Sequence, residues 1–161
     1  MIDANTIIDY THEDFLNGIH KIANDIRESG FAPDYIVGVV RGGSIPAVYL
    51  SHILKLPLAM VHWSSRDSNL AAGNESNCWI PEDAELGKQI LLVDDIVDGG
   101  DTIRQILEDW NSSVFKPLKT ENIKIASLFY NTAQNVIVDY YHKSINRDED
   151  GRWVVFPWEA A

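Results

Sequence analysis

Residues 90–102 read ILLVDDIVDGGDT, and this run constrains the fold more than any other part of the chain. Its first half is almost continuously apolar and too short for a globular helix. Such a run suits a strand buried on both faces, which needs helices packed on each side of its sheet. The spacing predicts a strand over 89–95, a turn over 96–100 and a helix from Asp101 to Trp110. A buried strand that delivers two carboxylates to a glycine turn and a helix start is the half-unit of an α/β protein.

The rest of the chain agrees. Phe15, Ile19, Ile22, Ala23 and Ile26 recur at helical spacing, predicting a helix over 13–28. Thr11 with Asp14 is a capping signal, and Gly30 and Pro33 stop the helix. YIVGVV (35–40) and LAMVHW (58–63) read as strands. Between them Ser44 is expected to cap a helix that has Pro46 in its first turn and runs to about Leu54. Strands follow over 124–130 and 136–141, then a polar turn over 146–151 and a terminal strand or tail over 152–159. The polar stretch 64–81 is long for a connection and reads as a flexible lid. The fold class is α/β, a mainly parallel sheet flanked by helices. At 161 residues one domain spanning 1–161 is expected, with no room for a second.

Composition narrows the function classes. Thirteen basic against 24 acidic side chains give a net charge of −11, which disfavours a nucleic-acid-binding face and an anionic membrane surface. No 18-residue apolar run is present, and the acidic N-terminal stretch does not read as a signal peptide. The single cysteine, Cys78, excludes an internal disulfide and suggests the cytoplasm. The five histidines show no metal spacing. The charge is concentrated: nine acids and two bases lie between Glu82 and Asp109, supplying −7 of the −11.

That concentration is either a solvated acidic face or a cation site, and the order of residues favours the second. Asp94 and Asp95 arrive together at a strand's open end. Gly99 and Gly100 let backbone N–H groups approach a ligand, and the helix start that follows favours an anion. An acidic loop that also cradles phosphate needs a cation between the two, and Mg²⁺ shared by one or two carboxylates and phosphate oxygens meets that need. Taken alone, the acid pair could also belong to a receiver-type phosphorylation domain, but there it follows the first strand rather than the third.

The run 90–102 resembles the ribose-phosphate signature of the type I phosphoribosyltransferases, with Gly99 where Thr or Ser is usual. VVRGGSIPA (39–47) resembles the family's pyrophosphate loop, and WVVFPWE (153–159) resembles the C-terminal base-binding segment of the small xanthine–guanine and hypoxanthine enzymes. The resemblance runs from the first helix to Glu159. It implies the type I phosphoribosyltransferase fold with residues 152–161 as a small base-binding tail. The implied reaction transfers ribose 5-phosphate from phosphoribosyl pyrophosphate to a purine, giving a nucleoside monophosphate and pyrophosphate. A 6-oxopurine (guanine, hypoxanthine or xanthine) is the expected acceptor, Mg²⁺ the cofactor, and a homo-oligomer the assembly.

By the same resemblance Asp98 faces the purine and assists proton removal. Arg41 and Gly42 meet pyrophosphate, and Asp94, Asp95 and the stretch Asp98, Gly99, Gly100, Asp101 and Thr102 hold the ribose and its phosphate. Asp94, Asp95 and Glu159 are metal candidates. Trp153 stacks on the base and Val154 offers backbone contacts. A non-proline cis peptide is expected at Arg41–Gly42. The lysine that usually donates to the base's O6 is replaced here by Asn131, with Lys143 as another source; an amide at that place would weaken the 6-oxopurine preference, and Asn131→Lys would sharpen it. Two other readings stay open: a nucleotide-sensing regulator that lost turnover, and transfer to a non-purine base.

Overall fold

The computed structural model describes residues 6–64 and 79–159. Its elements are β1 (Ile7–Asp9), α1 (His12–Ser29), β2 (Tyr35–Val40), α2 (Ser44–Leu54), β3 (Leu58–His62), α3 (Trp79–Glu85), β4 (Ile90–Val97), α4 (Asp101–Ser112), β5 (Ile123–Asn131), β6 (Tyr140–Ile145) and β7 (Trp153–Val155). Five strands form an all-parallel sheet in the order β3-β2-β4-β5-β6. β1 and β7 form a separate two-stranded parallel ribbon that pairs Ile7 with Trp153 and Ile8 with Val154.

The alternation of a pleated strand sorts the core into two layers. On β4, Leu91 and Val93 join the cluster under α1 and α2, whereas Ile90 and Leu92 join the cluster under α3 and α4. Burial of β4 on both faces explains why its body carries no polar residue before Asp94. All five apolar positions read for α1 are buried. Its capping box is complete: the Asp14 amide donates to Thr11 Oγ1 (3.1 Å) and the Thr11 amide to Asp14 Oδ2 (3.1 Å). Gly30 ends the helix in the left-handed region at φ 77°.

Several boundaries differ from the sequence reading. β4 runs on to Val97, through what reads as a turn, because the pairing of Ile96 with Phe129 and Val97 with Tyr130 continues its ladder with β5. Ser44 is the first residue of α2 rather than its cap; Gly43 takes the cap position, and the Ser44 hydroxyl donates to the Arg41 carbonyl (2.6 Å). β6 starts at Tyr140, not 136. The Asp139 carboxylate accepts from the Ile125 amide (2.9 Å), so strand pairing begins one residue later, and Ile137 is left exposed. Of the stretch 64–81, residues 65–78 lie outside the described residues, and its end is helical, as α3. No helix among the described residues is long and apolar enough to cross a membrane.

The strand order places a crossing point in the chain. From β2 the chain passes through α2 to β3 on one side, and β4 then returns to the other side of β2. The loops after β2 and β4 diverge there, at the carboxyl ends of neighbouring parallel strands, where open α/β sheets bind ligands.

Candidate active site

A cleft of about 610 Å³ opens at this crossing point. Its walls include Arg41 and Gly42 from the loop after β2, Asp94, Asp95 and Asp98 from β4 and its loop, and Trp153, Val154 and Glu159 from the tail. A smaller cavity of about 200 Å³ adjoins it, lined from Asp98 through Thr102 to Ile103.

The acid pair forms the cleft floor. Asp94 Oδ1 accepts from the Asp95 amide (2.9 Å), and Asp95 Oδ1 accepts from the Ile96 amide (2.8 Å). Burial, with the Asp95 charge beside it, holds Asp94 well above the usual carboxylate range. Burial raises Asp95 as well, and the nearby Glu159 charge adds to the effect. Gly42 lies directly over the pair; a Cβ there would collide with the Asp95 carboxylate. The glycine after Arg41 is therefore required by close approach.

Two adjacent carboxylates whose charges burial disfavours suit a hard cation. Among the described residues no group of three or more His, Cys, Asp and Glu could hold a metal alone. The pair would suit Mg²⁺, which takes one or two carboxylates and completes its shell with water and phosphate oxygens. Glu159 lines the same cleft, and like the pair it has one oxygen, Oε2, accepting from a backbone amide, that of Phe156 (3.0 Å).

The smaller cavity lies at the start of α4. Gly100 caps that helix in the left-handed region at φ 78°, and a Cβ there would also strike Val136. The first-turn amides of a helix lack intrahelical partners, and the helix dipole makes that end attractive to an anion. Asp101 lines this cavity but commits its carboxylate to Arg104 (2.5 Å), an exposed pair.

The tail divides its tryptophans between two tasks. Trp158 stacks on Phe156 at 5.0 Å and meets Phe15 edge-on at 5.4 Å, anchoring the tail on α1. Trp153 is half exposed and lines the cleft. β1, which the sequence reading did not contain, holds this segment in place through the β1–β7 ribbon.

Three expectations are corrected. The cis peptide is Val40–Arg41, one bond earlier than Arg41–Gly42. Asn131 is 2% exposed and does not line the cleft. Its amide donates to Asp98 Oδ1 (3.2 Å), and its carbonyl accepts from the Ala133 (3.0 Å) and Arg147 (3.2 Å) backbone amides. With both acceptor positions and one donor spent inside the protein, it braces Asp98. Lys143 lies elsewhere, paired with Asp14 at 2.7 Å.

The residue that reaches the cleft instead is Arg147, from the polar turn after β6, and the sequence reading missed it. Its Nε donates to Asp98 Oδ1 (3.1 Å). The only available signal was indirect: a chain poor in bases, without the usual lysine, places an arginine two residues beyond the end of a strand.

The chain is similar to known proteins over most of its length. A xanthine-guanine phosphoribosyltransferase of Gluconobacter oxydans is 30% identical over 132 residues, covering 78% of this chain and 68% of that one. One from Cereibacter sphaeroides is 27% identical over 143 residues, covering 84% and 77%. The crystal structure of a purine phosphoribosyltransferase from Pyrococcus horikoshii superposes with a TM-score of 0.66 at 30% identity, covering 96% of this chain and 94% of that one. The family model for the phosphoribosyl transferase domain matches residues 9–161, nearly the whole chain, and the chain belongs to that family.

Proposed function

We propose that the protein transfers the 5-phosphoribosyl group of phosphoribosyl pyrophosphate to a ring nitrogen of a 6-oxopurine. The bond from the sugar's anomeric carbon to pyrophosphate breaks, a bond to the purine nitrogen forms, and the purine loses a proton. One observation carries this reading: the acid pair, the anion cradle of α4, the Arg41–Gly42 turn and the exposed Trp153 face converge on adjoining cavities.

Each residue then has a task. The amides around Gly99, Gly100, Asp101 and Thr102 receive the 5-phosphate. Arg41 and the Gly42 backbone receive pyrophosphate and stabilise the charge it carries away. Asp94 and Asp95 face the ribose hydroxyls and would hold Mg²⁺; when bound, that ion would offset the donor's charge and favour departure of pyrophosphate. Trp153 packs on the base, and Asp98 accepts the purine's proton. The single cysteine supports a cytoplasmic setting.

The test is a panel of free bases with phosphoribosyl pyrophosphate and Mg²⁺, read by pyrophosphate release. Release with guanine, hypoxanthine or xanthine, abolished by excess chelator, is expected. No release with any purine would overturn the reading, and nucleotide binding without turnover would favour a regulator on the same fold.

A further inference from the structure

The bracing of Asp98 leaves a particular pattern of donors and acceptors facing the cleft. Asp98 Oδ1 is occupied twice, by Asn131 Nδ2 and Arg147 Nε. No hydrogen bond reaches its Oδ2 among the described residues. A guanidinium carries five N–H groups and no acceptor. Arg147 spends one on Asp98 and one, from Nη1, on the Arg152 carbonyl. The remaining N–H groups have no protein partner among the described residues, yet the side chain is only 17% exposed and lines the cleft with Trp153 and Val154.

Arg147 is also held from behind. Its backbone amide donates to Asn131 Oδ1, and its turn is closed by the amides of Glu149 (3.1 Å) and Asp150 (2.8 Å) donating to the Asn146 carbonyl. The cleft edge therefore presents a fixed acceptor, Asp98 Oδ2, beside fixed donors on Arg147.

We propose that Arg147 reads the 6-position of the base, donating to a 6-oxo group while Asp98 Oδ2 accepts from the imidazole N–H on the same edge, the proton that the reaction removes. This rests on the 6-oxopurine reading above and assigns the residue that enforces it. A ring N–H beside a carbonyl is the complement of an acceptor beside a donor. In a 6-aminopurine the carbonyl becomes an N–H₂, and donors face donors. Arginine cannot adapt, because it has no acceptor to offer and stays protonated. Lysine's usual contact at β5 is thus replaced by a guanidinium from a different loop, and Asn131 positions the pair from beneath.

On the edge that faces Arg147 and Asp98, hypoxanthine and adenine differ only in the 6-substituent, so their ratio isolates this contact. In Arg147→Met the kcat/KM ratio for hypoxanthine over adenine is expected to fall roughly 5- to 150-fold, the range of one good base contact. Because Met also removes a brace from Asp98, both absolute rates are expected to drop; the ratio alone reads the 6-position. An unchanged ratio in a folded variant would overturn the proposal. If the variant does not fold by circular dichroism, ligand binding to the wild-type protein decides. Affinity is expected to decline from inosine monophosphate through purine riboside monophosphate to adenosine monophosphate, and equal affinity for the first and last would overturn it. The same titration applies if no purine is turned over, so failure of the enzymatic reading remains distinct from failure of this one.

Discussion

Asp98 gathers two donors on one oxygen, which makes it a fixed acceptor rather than a freely rotating carboxylate. Asp98→Asn is expected to lower kcat by roughly 10²-fold or more while the KM for phosphoribosyl pyrophosphate changes less; steady-state kinetics with varied donor checks this, and an unaltered kcat would move the proton acceptor elsewhere. Asn131 carries a separate structural load. Asn131→Leu keeps the volume but removes the acceptor for the Ala133 and Arg147 amides. Each amide left without a partner costs about 1–3 kcal/mol, so urea unfolding should show a loss of at least that size. A midpoint equal to wild type would mean that water replaces the side chain. The identity of Asn131 was plain in the sequence, but its direction was not. A strand-end asparagine offers both donor and acceptor, and only the turn after β6, folded back over it, commits that capacity to the protein.

At the scale of elements, α1 is tied at its N-terminus to β6. The Lys143 ammonium, with help from Thr11, holds the Asp14 carboxyl below the usual carboxylate range. The folded form thus binds a proton on Asp14 less readily than the unfolded chain. The stability this group contributes is fully present above the ordinary carboxylate pKa of about 4 and is lost as pH falls through the lowered folded value. Urea midpoints measured from pH 7 downward should therefore decline less steeply in Lys143→Met than in wild type, and parallel curves would argue against the pair. Thr11→Ala should cost about 1 kcal/mol, as a lost helix cap does. The elements that sequence alone made legible, α1, β2 and β4, are those whose periodicity or continuous burial sets their own state. Two features it missed answer to partners far along the chain. β1 is three residues whose strand state exists because β7 pairs with it. The start of β6 depends on Asp139 reaching Ile125. α3 has only seven residues and follows a polar stretch, so it shows too little periodicity to register.

For the whole molecule, three aspartates and Glu159 line one cleft at the carboxyl end of the parallel sheet, and its floor is a pair of neighbouring, partly buried carboxylates. Without a counter-charge each side chain disfavours charge on the other, and their partial burial weakens the screening that water would give. Replacing one with its neutral isostere should relieve that repulsion. Asp94→Asn is expected to raise the thermal midpoint of the ligand-free protein, by an amount corresponding to roughly 0.5–2 kcal/mol, while transfer activity collapses. A midpoint lowered by the substitution would show instead that the carboxylate supports the fold. The pair thus sets two demands against each other, endurance of the empty protein and readiness for its substrates. A selection for heat tolerance alone would find Asp94 and Asp95 early and return a sturdier protein that no longer performs its reaction.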